Sequence, residues 1–328
     1  MTQATPFFTS LKELFAFLEL PEPKTQVANS RFSFLASRHF VSKIRKGDPK
    51  DPLLREILPT EDENRIVEGF SDDPVGDASS EKAPGILQKY KGRVLVEPTF
   101  ACSLHCRFCF RRAESRCAPE NFPSRLSDWL SEHHDIHEVI FSGGDPLMLS
   151  RQNFEALANE ILGHDQVRTV RIHTRIPVTY PQVLSENGKN SLLGPLRKVA
   201  EKKKLVVVTH VNHPNELDDM SATVLESLRK LGAHLLNQSA LLKGINDSAE
   251  ILVELSQKLF EQDVLPYYLH QLDHATGVAH FEISDAEALR IMENLRNALP
   301  GYLVPRLVRE VAGESSKRPI WDCGEIRN

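Results

Sequence analysis

The sequence predicts an α/β protein: a parallel sheet closed or partly closed into a barrel, with helices outside it and a helical extension in front. Two observations carry the prediction. From Arg93 onward, short β-branched runs alternate with helical stretches. Before that point, "FFTSLKELFAFL" and "NSRFSFLASRHFVSKI" place apolar residues at helical spacing, and the pattern then breaks into the linker-like "EGFSDDPVGDASSEKAPG". The expected division is a helical extension and linker over 1–90, the barrel over 91–300, and a C-terminal segment over 301–328.

The elements follow in order. "RVLVEPTF", "EVIFSGG", "VRTVRIHT", "LVVVTHV", "AHLLNQSALL" and "VLPYYLHQLD" read as buried strands. Between them, "RQNFEALANEIL" places Phe154, Leu157 and Ile161 on one helical face behind a Ser150 cap. "ATVLESLRKLG" does the same with Leu225, Leu228 and Leu231, and Gly232 ends it. No internal repeat or low-complexity tract interrupts the series.

At 328 residues, 41% of them hydrophobic, and with a net charge of −5, the chain can bury a large core in one or two domains. Its start lacks the basic and continuously apolar character of a signal peptide, and no run of about 18 apolar residues occurs, so the expected location is the cytoplasm, with no membrane contact. Basic stretches such as "EKKK" at 201–204 are short and read as solvated helix faces, which argues against a nucleic-acid partner.

Chemistry concentrates in the cysteines. Of five, Cys102, Cys106, Cys109 and Cys117 cluster, and Cys323 stands alone, a distribution suited to metal or redox chemistry rather than a disulfide framework. Cys102, Cys106 and Cys109 are spaced C-x3-C-x2-C in the loop leaving the first barrel strand, on the face where barrel sites form. Thiolates suit iron–sulfur clusters, zinc or copper(I). A structural zinc site needs a fourth ligand, with His105 and Cys117 as the nearby candidates, whereas three thiolates on a four-iron, four-sulfur (4Fe-4S) cluster leave one iron open. After the second strand, "FSGGDPL" supplies Gly143 and Gly144 for a tight turn with close backbone approach to a ligand, and Ser142 and Asp145 as polar groups for a bound amine.

The cysteine spacing after the first strand resembles the radical S-adenosylmethionine (SAM) superfamily. That resemblance implies a partial (β/α) barrel of the radical SAM type, with SAM chelating the open iron and being cleaved to methionine and a 5′-deoxyadenosyl radical. Longer stretches, among them "KYKGRVLVEPTFACSLHCRFCFRR", "HTRIPV", "VTHVNHPNELD" and "GYLVPRLVREVAGESSK", resemble lysine 2,3-aminomutases over 51–319. The "RE-x2-GE-x-SK" ending is most similar to the branch that makes (R)-β-lysine for modification of elongation factor P; the alternative is a related mutase releasing free β-lysine for another pathway.

The resemblance further implies pyridoxal 5′-phosphate, held as a Schiff base by Lys317, with Lys89 and Arg93 at its phosphate. Ser142, Gly143, Gly144 and Asp145 would hold the methionine amino group, and His210 and Gln238 would contact SAM. For substrate L-lysine, Arg111 matches the carboxylate-binding arginine, and Asp273 and Glu310 stand where the ammonium-binding acids fall. Glu310 replaces an aspartate of other branches, one methylene longer. Longer family members carry a cysteine-bearing C-terminal zinc segment, of which only Cys323 is matched, so no zinc is expected. The implied partners are a flavodoxin- or ferredoxin-like electron donor and an elongation factor P ligase; homo-oligomerisation is left open.

Overall fold

In the computed structural model, residues 5–22, 32–113, 119–186 and 188–321 are described. The N-terminal extension contains β1 (Phe7–Phe8), α1 (Leu11–Phe17), β2 (Ala36–Ser37), α2 (Arg38–Val41) and α3 (Pro52–Ile57). Within the second apolar run, expected to be helical, Ala36 and Ser37 instead form β2, which pairs antiparallel with β1. Only then does it turn into α2, because the Ser37 hydroxyl accepts the Phe40 amide and starts the helix there. This extension has its own small core of Phe8, Leu14, Leu18, Phe40, Leu53, Leu54 and Ile57, joined by Leu104 of the cysteine loop.

The supposed linker is not one. It forms α4 (Asp77–Ser80), β3 (Glu81–Ala83) and β4 (Ile86–Leu87), and both strands join the main sheet antiparallel, next to β5 (Arg93–Val96). Further upstream, Ser71 bridges to Ala275, and Phe70 stacks on His274. Strands of two or three residues are too short to show the alternation by which longer ones are read.

From β5 the chain alternates as expected as far as β10: α5 (Phe122–Glu132), β6 (Glu138–Phe141), α6 (Arg151–Leu162), β7 (Thr169–Thr174), α7 (Ile176–Thr179), α8 (Leu193–Lys202), β8 (Lys204–His210), α9 (Asp219–Lys230), β9 (His234–Ala240), α10 (Ala249–Glu261) and β10 (Leu265–His270). The sheet then runs on, after α11 (Asp285–Ala298), into the segment read as lying beyond the barrel, with β11 (Arg306–Arg309) and β12 (Arg318–Pro319), two strands the sequence reading did not name. Strands β5 to β11 are parallel neighbours in sequence order, and β12 adds antiparallel at the far edge of the ten-stranded sheet. The Ser150 cap is present, its hydroxyl accepting the Asn153 amide at 3.2 Å. Gly232 takes φ +86°, the left-handed turn that ends α9.

Among the described residues, backbone pairing does not close the barrel, since β3 and β12 remain edges. Side chains bridge the seam instead: the Tyr90 hydroxyl, just ahead of β5, donates to Glu310 Oε1, just after β11, at 2.6 Å. The apolar core lies between the outer face of the sheet and its helices, where Val94, Val96, Val139, Phe141, Val170, Ile172, Leu205 and Val207 pack against residues such as Leu126, Phe154, Leu157 and Leu196.

Candidate active site

Because side chains alternate along a strand, burying one set under the helices turns the other set inward. Here the inner set is mostly polar: Arg93, Arg171, His173, His210, Gln238, Tyr268 and His270, with Leu95 and Ile140 among them, line a cavity of about 400 Å³ together with the cysteine loop and the C-terminal segment. Burial pushes His210 down to about 3, helped by the Arg175 cation, and holds His173 and His270 well below the ordinary imidazole range, with Lys317 adding to both. All three are therefore neutral at pH 7. The His173 Nε2 is buried without a hydrogen-bond partner among the described residues, a polar atom a cavity ligand can satisfy.

Cys102, Cys106 and Cys109 all line this cavity. Their loop is clamped from two sides. Leu104 and Cys106 pack on the extension's core, while Phe108 and Phe110 pack on a cluster of Leu242, Ile245, Leu272 and Phe281. The extension also grips the loop backbone, as the His105 and Arg107 amides donate to the carbonyls of Leu35 (2.9 Å) and Glu56 (2.8 Å). The fully buried Arg107 and its neighbour Arg112 both bind Glu63; burial disfavours that carboxylate's charge, but the two guanidiniums outweigh it and hold its pKa low.

Burial drives the Cys106 thiol to about 11 and Cys102 well above its ordinary value, with the neighbouring thiols adding. A bound metal is what makes such thiols thiolates. No three His, Cys, Asp or Glu side chains among the described residues are grouped to hold a single metal ion. Three thiols spread around one cavity beside a guanidinium suit a larger cluster of net negative charge, so the donor set fits a 4Fe-4S cluster. Cys117 and Cys323 lie outside the described residues.

The glycine pair, which borders the cavity, also has a use the sequence did not suggest. A Cβ on Gly143 would sit 2.7 Å from the Thr99 carbonyl, and one on Gly144 would sit 2.5 Å from the Ala101 oxygen and the Phe100 carbonyl carbon. The two glycines let this turn lie directly on the cysteine loop, which it meets through the Gly144 and Asp145 amides donating to Thr99 and Ala101. Asp145 is likewise engaged by the fold: it accepts from the Thr174 hydroxyl (2.8 Å), the Arg175 amide (2.7 Å) and the Leu147 amide (3.1 Å). Burial still raises its pKa to about 6.

Around the seam, Arg111 pairs with Asp77 and Glu97, each at 3.0 Å, and donates to Ser142 Oγ at 3.3 Å. Lys89 contacts Asp77 at 2.7 Å and lies 3.9 Å from Glu310, so its ammonium is directed at carboxylates. Burial alone would raise Asp77, but Arg111 and Lys89 hold it below its ordinary value. Arg93 stacks on the Tyr90 ring at 4.9 Å. Lys317 is ion-paired with Glu310. Burial opposes the charge on Glu310, yet Lys317, Tyr90 and Lys89 keep it ionised. Asp273, in the same cavity, is pushed by burial to about 6.

The structure thus brings every anticipated site residue to one cavity. Sequence reading missed Asp77, Glu97, Tyr90, Arg171, His173, Arg175 and His270. For His173 and His270 a signal existed, since both occupy the inward register of strands whose alternate residues are apolar. Asp77 had none, lying in the presumed linker.

Strand order, cysteine loop and glycine turn define a class, and comparison agrees with it: the Radical SAM superfamily model matches residues 96–255. The protein is a radical SAM enzyme. The chain is 41% identical to an L-lysine 2,3-aminomutase of Haemophilus influenzae, over 93% of this chain and 90% of that protein. It is 38% identical to one from Escherichia coli, over 98% and 94% of the two chains, and 36% identical to one from Buchnera aphidicola, over 97% and 94%. It belongs to the lysine 2,3-aminomutase family. Membership implies a 4Fe-4S cluster, SAM and pyridoxal 5′-phosphate. No helix among the described residues is long and apolar enough to cross a membrane.

Proposed function

We propose that the protein is a pyridoxal-phosphate-dependent isomerase that converts L-lysine to (R)-β-lysine for attachment to elongation factor P. One observation carries the reading: the Lys317 amine, the carboxylates of Asp273 and Glu310 and the Arg111 guanidinium line the same cavity as the three thiols. When bound, the cluster with SAM would supply hydrogen-abstracting radical chemistry, and pyridoxal 5′-phosphate the electron delocalisation that lets an amino group migrate.

The chain's own residues bind and orient. Cys102, Cys106 and Cys109 would hold the cluster, and Ser142, Gly143, Gly144, Asp145, His210 and Gln238 would border SAM. Lys317 would carry the pyridoxal, with Arg93 and Lys89 supplying positive charge for its phosphate. Arg111, held in a fixed orientation by Asp77 and Glu97, would receive the substrate carboxylate on its guanidinium, in exchange for its contact with Ser142. Asp273 and Glu310, both ionised at pH 7, would receive the side-chain ammonium. The elongation factor P assignment is supported by "RE-x2-GE-x-SK" and by glutamate at 310. It entails a ligase that consumes the product, a low-potential donor of the flavodoxin or ferredoxin kind, and a cytoplasmic setting.

The test is an anaerobic assay of the reconstituted protein with lysine, SAM, pyridoxal 5′-phosphate and dithionite, read by chiral chromatography. (R)-β-lysine is expected, and a mainly (S) product would contradict the elongation factor P branch. Borohydride reduction and peptide mapping should place a pyridoxyl group on Lys317, and its absence would remove the pyridoxal assignment.

A further inference from the structure

The end of β7 leads into a buried cation that no role described so far uses. Arg175 Nη1 donates to Cys106 Sγ at 2.9 Å, while Nη2 donates to Glu56 Oε2 at 2.9 Å and Glu216 Oε2 at 2.6 Å. Its backbone amide is fixed on Asp145 at 2.7 Å, and its guanidinium carbon stands 5.6 Å and 5.7 Å from the ring centres of Phe40 and Phe108. Both glutamates are fully buried. Three separate parts of the chain therefore hold this guanidinium against a cluster-ligating sulfur: α3 of the extension, the end of β7, and the turn after β8.

We propose that Arg175 is a positioning residue that raises the reduction potential of the cluster through its hydrogen bond to Cys106, with Glu56 and Glu216 fixing its fork. Reduction adds one negative charge to the cluster. A charged donor on a ligating sulfur stabilises the reduced form more than the oxidised one, and hydrogen bonds to cluster sulfurs are among the protein's means of setting potential. In a buried site the interaction is little screened by solvent. Burial, with Glu216 beside it, pushes Glu56 up to about 8, so at pH 7 it is mostly protonated and offsets little of the cation's field, and both side chains stop the guanidinium from rotating off the sulfur. Through Glu56, the N-terminal extension becomes part of the cluster's electrostatic environment. The inference rests on the cluster and is independent of lysine and of pyridoxal phosphate.

The experiment is an anaerobic dithionite titration, followed by electron paramagnetic resonance, on the full reconstituted chain before SAM is added. Wild type is compared with Arg175→Lys and Arg175→Met. Lysine keeps the charge without the fork, and methionine removes both. Iron and sulfide content should match wild type in both variants, because the three cysteines are intact. The expected result is at least a tenfold loss in the reduction equilibrium for Arg175→Lys, a fall of about 59 mV for a one-electron couple, and a larger fall for Arg175→Met. Loaded variants with the wild-type midpoint would overturn the proposal. So would variants that keep the wild-type circular dichroism spectrum but take up no iron, since the contact would then serve assembly. A wild-type chain that binds no iron and sulfide would overturn the cluster itself, a result distinct from either.

Discussion

The two faces of the main sheet are built from opposite chemistry, apolar under the helices and mostly polar toward the cavity. Along β7, Val170 and Ile172 are buried in the apolar layer under the helices, while Arg171 and His173 between them face the cavity. The outer face carries stability through close packing and area removed from water. The inner face is lined with titratable groups held by burial and by one another. One strand therefore serves fold and chemistry at once, and substitutions one residue apart should give opposite phenotypes.

The sharpest test of that separation is Lys317→Ala on the inner side. It should abolish β-lysine formation and the borohydride-trapped pyridoxyl peptide, while the urea unfolding midpoint moves little, because a partly exposed ion pair is worth about 1 kcal/mol or less. Ile172→Ala is the outer counterpart. Removing a fully buried side chain should cost about 2–5 kcal/mol in urea unfolding, with the iron content of the folded fraction unchanged. Gly144→Ala breaks the division, since its Cβ would strike the cysteine-loop backbone at 2.5 Å. Destabilisation of about 1–3 kcal/mol is expected, along with a measurable loss of bound iron on reconstitution.

The smallest effect is a pH dependence. Burial raises Asp273 to about 6, so its carboxylate is ionised at pH 7 and takes up a proton as the pH falls through 6. Lysine KM should then rise by about tenfold per unit below that point, and Asp273→Asn should raise KM at pH 7 and flatten the limb. A limb that survives in Asp273→Asn would assign the titration to another group. The stability term has the opposite sign. A carboxylate whose folded pKa lies above its unfolded value near 4 makes the folded state gain relative stability as pH falls from about 6 to 4, so weaker lysine binding there would not reflect unfolding by this group.

Much of the barrel was legible in sequence because its signals are local. Strand alternation, the Ser150 cap and the turn at Gly232 each depend on a few consecutive residues, and the cysteine spacing encodes a loop that can surround a cluster. The failures share one physical cause. Asp77 and Glu63 lie in a stretch without periodicity, and their partners Arg111, Arg107 and Arg112 are distant in the chain. Gly143 and Gly144 were read as freedom to approach a ligand, and their second neighbour, the cysteine-loop backbone, is visible only in the fold. Arg175 was passed over inside "HTRIPV" because nothing in those six letters points to Cys106 or Glu56.

The sequence by itself determined the alternation of strands and helices from Arg93 to β10, the buried faces of α6 and α9, and the presence of three thiols, a lysine and two acids of the right chemical types. Only the tertiary structure decided that they meet. Curling the sheet brings Tyr90 to Glu310 across a seam with no backbone pairing, and folding the extension over the cysteine loop carries Glu56 to the cation beside Cys106. Periodicity reports what each residue does relative to its neighbours in the chain. The charge on a buried side chain depends on which distant group the fold places against it.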